Sequence, residues 1–242
     1  MRHDTHPIAP FYASAQGAVV ARLIRARIAT IWPSLPGQSL LGIGYTAPYL
    51  RHYLPQPGSH LPATRCIHLT PSQVAPACFP VGAPSLSVTS DEDALPFADL
   101  SIDRVLLVHG LEAADHARRL LREIWRVLKD DGRLLVVTPN RRGLWAHLES
   151  TPFGQGQPYS PGQITRLLEA GFFRIEQRDT ALFLPPSRLR LVLRGAPMWE
   201  RAGRMLAPQL AGVTITEAMK DFYTLVPLGE ASGRRVVFTE AG

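Results

Sequence analysis

The sequence predicts an α/β protein, a mostly parallel sheet with helices on both faces. Three observations predict it. Residues 105–108 (Val-Leu-Leu-Val) and 134–137 (Leu-Leu-Val-Val) are short, wholly apolar runs of the kind found in buried parallel strands. One amphipathic helix, over residues 115–128, separates them, with Ala117, Leu120, Leu121, Ile124 and Leu128 at helical spacing. Upstream, Ser39-Leu40-Leu41-Gly42-Ile43-Gly44 reads as another strand, closed by a Gly-x-Gly turn.

The remaining elements follow in chain order. Residues 11–31 form a helix, with Val19, Val20, Leu23, Ile24, Ile28 and Ile31 on one stripe, stopped by Pro33 to Gly37. After the first strand a helix begins near Pro48, whose fixed φ suits a first turn. The proline-rich stretch 55–84 is irregular apart from a second strand at 65–69, and a third strand follows at 85–88. Ser160-Pro161-Gly162-Gln163 caps a helix that runs to Ala170 and stops at Gly171. Strands are expected from 172 to 177, 213 to 218 and 235 to 239. The resulting division is an N-terminal helical segment, 1–37, and one domain, 38–242, with an insertion at about 183–211. That insertion carries five arginines among apolar residues, and Gly195 and Pro197 break it. A wall or lid over a substrate cavity fits it better than one continuous membrane-surface helix.

Composition narrows the partners. No apolar run approaches the ~20 residues of a membrane-spanning helix. The N-terminus lacks the charged-then-apolar order of a secretory signal. Two cysteines, Cys66 and Cys78, offer neither a disulfide framework nor zinc spacing, so no metal is expected and a cytoplasmic location is. The net charge of +6 and a pI of about 9.8 suit an anionic partner. No like-charged run exceeds two or three residues, so a nucleic acid ranks below a small molecule.

Residues 91–132 carry the most specific signal. They read Asp91-Glu92-Asp93-Ala94-Leu95-Pro96-Phe97, then Ile102-Asp103-Arg104-Val105, then Arg122-Glu123-Ile124-Trp125-Arg126-Val127-Leu128-Lys129-Asp130-Asp131-Gly132. The order closely resembles the class I S-adenosylmethionine-dependent methyltransferases, in the group that includes ubiquinone- and biotin-pathway enzymes. The resemblance implies a Rossmann-like, mostly parallel seven-stranded sheet with S-adenosylmethionine as cofactor. It also implies methyl transfer to a small or medium-sized acceptor.

The resemblance places the cofactor against Gly42, Gly44 and Tyr45 after the first strand, Thr70 after the second, Asp91 and Glu92 after the third, and His109 after the fourth. A side chain at Gly44 is expected to take the cofactor's space and leave the fold intact. Three departures stand out. Leu40 occupies a position that is usually acidic, and Thr46 replaces a third glycine. Thr70 also stands where a carboxylate usually meets the ribose. Charge-assisted hydrogen bonds are worth roughly 1.5–3 kcal/mol each, so the chain either compensates or is a silent, methyltransferase-like partner or regulator. His109 admits three roles: contact with the methionine part, general base, or a hydrogen-bonded histidine closing a strand. Glu112 is expected to open the following helix. On the acceptor side, Tyr12, Asn140, Arg141, Arg142 and Trp145 are candidates. The arginines suit a carboxylate or phosphate, and the rings suit an aromatic or acyl wall. An aromatic cluster with arginines in water is the equal alternative. Methyl transfer requires no particular catalytic side chain, and the sequence names none.

Overall fold

The computed structural model describes residues 8–55, 58, 60–71, 79–80 and 84–222. Strands β1 (Ser39–Gly44), β2 (Arg65–Pro71), β3 (Ser87–Ser90), β4 (Ile102–Val108), β5 (Leu128–Pro139), β6 (Phe173–Ala181) and β7 (Val213–Lys220) form one sheet. Their order is β3-β2-β1-β4-β5-β7-β6. β7 runs antiparallel to both of its neighbours, β5 and β6; the remaining pairs are parallel. The strand expected at 235–239 lies outside the described residues.

The central strands bury both faces, which is why they read as unbroken apolar runs. Leu40, Leu106 and Leu135 face one core, shared with Val20, Ile24 and Ile28 of α2 (Ala15–Ile31). Their neighbours Leu41, Leu107 and Leu134 face the other. That core includes Leu120, Leu121 and Ile124 of α4 (Ala117–Val127) and Ile164 and Leu168 of α5 (Pro161–Ala170).

The helix expected over 11–31 is two helices. α1 (Ile8–Ala13) ends at Ser14, whose hydroxyl accepts from Gly17 N and caps α2. Gly17 allows the tight corner, because a Cβ there would lie 2.0 Å from Phe11 O. The helix expected from Pro48 is one turn, α3 (Ala47–Leu50), followed by a 3-10 turn. α5 has the full capping box, with Ser160 and Gln163 bonded reciprocally. In the insertion lie α6 (Arg190–Arg194) and α7 (Ala196–Leu206).

The signature residues are cross-braced. Glu123 accepts from Leu95 N, and Arg126 donates to the carbonyls of Leu95 and Phe97 while pairing with Glu123 at 2.8 Å. Lys129 Nζ lies 2.6 Å from Asp103 Oδ1, and Asp103 Oδ2 accepts from the Ser39 amide and hydroxyl. Burial raises the Asp103 carboxyl, but the bonds from Lys129 and Ser39 outweigh it and hold it down to about 2. The signature therefore ties β1, β4, the 95–97 loop and α4 into one frame. None of the described helices is long and apolar enough to cross a membrane.

Candidate active site at the carboxyl ends of β1 and β4

Strand order reverses between β1 and β4, and in open α/β sheets ligands bind outside the carboxyl ends at such a point. The turn after β1 and the end of β4 touch directly, with Tyr45 N donating to Val108 O at 2.8 Å. Gly44 has φ +82, and a Cβ on it would lie 2.3 Å from Val108 O. Gly42 is crowded by Thr46, whose Oγ1 would lie 2.2 Å from an added Cβ. Both glycines are therefore required by the fold itself. The expectation that a larger residue at Gly44 leaves the fold intact is corrected, because the clash is with backbone in a left-handed conformation.

The next residue of β4's path is His109, a non-glycine with φ +54, a conformation that costs on the order of 1 kcal/mol or more. Its ring is held at both nitrogens. Nδ1 lies 3.0 Å from Glu112 Oε1, and Nε2 lies 2.8 Å from the Tyr12 hydroxyl. With the Glu112 carboxylate as acceptor, the network assigns the proton to Nδ1, so the Tyr12 O–H donates to Nε2. Tyr49 OH lies 3.1 Å from Tyr12 OH and extends the chain. Tyr12, Tyr49, His109 and Glu112 are all buried. Burial, with Tyr49 beside it, raises the Tyr12 phenol well above its usual range, so Tyr12 stays neutral. The Tyr12 ring stacks on Tyr45, with centroids 4.7 Å apart, and Phe153 meets His109 edge-on at 4.9 Å. α1 thus brings Tyr12 over the turn after β1.

Glu112 does not open the following helix. α4 starts at Ala117, and Glu112 turns inward to His109 instead. The i,i+3 spacing of His109 and Glu112 on a strand-end loop was visible in the sequence, but the fold was needed to give it meaning.

Thr70 is buried at the end of β2, and its Oγ1 has no hydrogen-bond partner among the described residues. His68 Nε2 bonds Gly44 O at 3.1 Å, while its Nδ1 is likewise unpartnered. Burial lowers the His68 imidazole, so it favours the neutral form. Glu112 Oε2 and Thr46 Oγ1 are also buried without partners among the described residues. Orphaned buried polar groups carry a cost that a polar ligand removes. Asp91 is exposed, and Glu92 is half-buried after β3. Burial, and then Asp115 nearby, raises the Glu92 carboxyl.

The acceptor-side candidates divide. Asn140 is committed to the backbone: Nδ2 donates to Gln209 O and Ala211 O, and Oδ1 accepts from Arg142 N. Trp145 is buried, donates to Leu184 O at 2.7 Å and packs edge-on against Phe11 and Phe153. Arg141 and Arg142 stand exposed. A cleft of about 590 Å³ lies among Phe11, Ser14, Pro152, Gln155 and Arg188.

Comparison with known proteins agrees with this architecture. Residues 42–136 match the family described as Methyltransferase domain. The uncharacterized protein YafS of Escherichia coli (strain K12) is 49% identical over 51 residues, 21% of each chain. The aligned part is thus about a fifth of that relative's length. Among solved structures, a SAM-dependent methyltransferase from Thermotoga maritima superposes with a TM-score of 0.55 at 16% identity, covering 88% of this chain and 93% of its own. A chain from the complex of the Haloferax volcanii Trm112 methyltransferase activator with a methyltransferase also gives 0.55 at 16% identity, covering 90% and 98%. These likenesses establish the class I methyltransferase fold.

Proposed function

We propose that this chain, with its class I methyltransferase fold, transfers the methyl group of S-adenosylmethionine to a small or medium-sized acceptor that carries an exchangeable proton. The observation that carries the reading is the buried Tyr12–His109–Glu112 chain at the switch point between β1 and β4.

The residues fit the cofactor in part. The unpartnered Thr70 hydroxyl would meet the ribose, Glu92 or Asp91 the adenine end, and the Gly42–Gly44 turn with Tyr45 the methionine end. When bound, S-adenosylmethionine supplies an electrophilic methyl group. The chain's own task is then to hold the acceptor and remove its proton. His109 Nε2 takes that proton, in the place where the Tyr12 hydroxyl now donates. Nδ1–H remains on Glu112, whose carboxylate steadies the cation that forms. Tyr12, neutral and tied to Tyr49, serves as a hydrogen-bonding stand-in that the acceptor displaces or bonds. The cleft that Phe11 lines mixes apolar residues such as Pro152 with polar ones such as Gln155 and has one cation, Arg188, which suits an acceptor with an apolar body and an acidic group.

A second reading, a catalytically silent partner or regulator, draws on Leu40 and Thr46. Both are fully buried, where the resemblance leads one to expect a carboxylate and a glycine. RNA methylation ranks third, because it draws only on the positive charge. The test is methyl-labelled S-adenosylmethionine offered with panels of phenols, carboxylic acids and amines. Transfer by the wild type that falls at least about 100-fold in His109→Asn supports the proposal. Transfer at equal rates in both proteins removes His109 from the chemistry, and cofactor binding without transfer to any panel favours the silent reading.

A further inference from the structure

We propose that the α6–α7 insertion docks this protein on an anionic lipid surface, a role beyond the chemistry proposed above. In a surface helix of a folded domain, apolar residues face the core and polar ones face water. α7 is reversed. Its Glu200 accepts from Phe183 N at 2.7 Å, and Arg204 lies 3.8 Å from both Glu200 and Asp179. Gly203 packs on the Phe183 ring, and Ala196 is buried. With those groups turned inward, Met198 (67% exposed) and Met205 (83%) point outward, flanked by exposed Leu206. Just before α7, Leu189 and Leu191 (83%) are exposed as well.

The exposed charged residues of this segment are all arginines. Arg188, Arg190, Arg194 and Arg201 are exposed beside the apolar strip. Glu200 is the sole acid between residues 183 and 211, and it is turned inward. The Asn140 bonds to Gln209 O and Ala211 O draw the loop after β5 to the same segment. That loop carries exposed Arg141, Arg142 and Leu144. Outward apolar side chains set among exposed arginines match the chemistry of an anionic interface, where apolar groups enter the acyl boundary and cations meet the headgroups. A second copy of the chain would bring arginines against arginines. A nucleic acid would leave the methionines and leucines in water.

The experiment is flotation of the full chain with phosphatidylcholine vesicles, with and without phosphatidylglycerol. The expected result is co-flotation with the anionic vesicles only, weakened by added salt. Each of Arg190→Gln, Arg194→Gln and Arg201→Gln should weaken binding about fivefold. The triple variant Leu191→Ser, Met198→Ser, Met205→Ser should abolish it with an unchanged Tm, because those side chains are exposed. No flotation, equal flotation with neutral vesicles, or indifference to both sets of variants overturns the proposal. So does a dimer in sedimentation that the triple variant dissolves, since the strip would then cover a second copy.

Discussion

Glu112 holds His109 from three residues away, with Oε1 3.0 Å from Nδ1, and so leaves Nε2 facing the Tyr12 hydroxyl across 2.8 Å. His109 follows β4 with a left-handed backbone, and its ring meets Tyr12 beside the turn after β1. This arrangement predicts a tautomer before any acceptor is known. At alkaline pH, ¹⁵N spectra of histidine-labelled protein should show His109 protonated on Nδ1, and Glu112→Leu should shift the proton toward Nε2. An Nε2-protonated ring in the wild type would remove Glu112 as the positioning residue. With an acceptor that turns over, Glu112→Leu should lower kcat and leave KM nearly unchanged.

Gly44→Ala should destabilise the fold by about 2 kcal/mol or more, because the Cβ meets Val108 O in a left-handed conformation. Chemical denaturation measures it. A stable Gly44→Ala protein that has lost only ligand affinity would mean the glycine serves the cofactor and not the β1–β4 contact.

Asp103 predicts the acid limb of stability. Its carboxyl is held down to about 2 in the folded protein, below the ~3.9 of an unfolded aspartate. The contribution is therefore fully present above the unfolded value and is lost as pH falls through the folded one. Denaturation midpoints should drop between about pH 4 and pH 2 in the wild type. Asp103→Asn should cost about 1–3 kcal/mol at neutral pH and flatten that drop. An unchanged slope in Asp103→Asn would assign the acid limb to other carboxylates.

How far the sequence carried this picture depends on the range of the contacts involved. The strand at Ser39–Gly44 and the capped helix at Pro161–Ala170 rest on local patterns, and both appear at the expected bounds. The 91–132 signature was legible because Leu95, Asp103, Glu123, Arg126 and Lys129 brace one another, and such braces restrict which residues fit. The apolar stripe continues across Ser14, so periodicity predicts one helix there, although Ser14 and Gly17 form a local cap. The partners of Tyr12 were out of reach: His109 lies 97 positions away in sequence, and only the fold of α1 over the sheet joins them. Asn140 and Trp145 looked like acceptor ligands because they follow a strand, yet their polar groups are bonded to the backbone of the insertion.

Thr70→Asp should tighten S-adenosylhomocysteine binding by at least about tenfold, if the unpartnered hydroxyl at the end of β2 faces the ribose. A carboxylate there can take both hydroxyls of the diol. Unchanged or weaker affinity would place the ribose elsewhere.

The most direct test of the central claim is calorimetric titration of the wild-type protein with S-adenosylhomocysteine. The account predicts saturable one-to-one binding, lost or strongly weakened when Tyr45 is replaced by Asp beside the turn. It also predicts a thermal shift that grows with ligand concentration. No heat of binding and no shift at millimolar ligand would contradict it, and would leave a methyltransferase fold that no longer holds its cofactor.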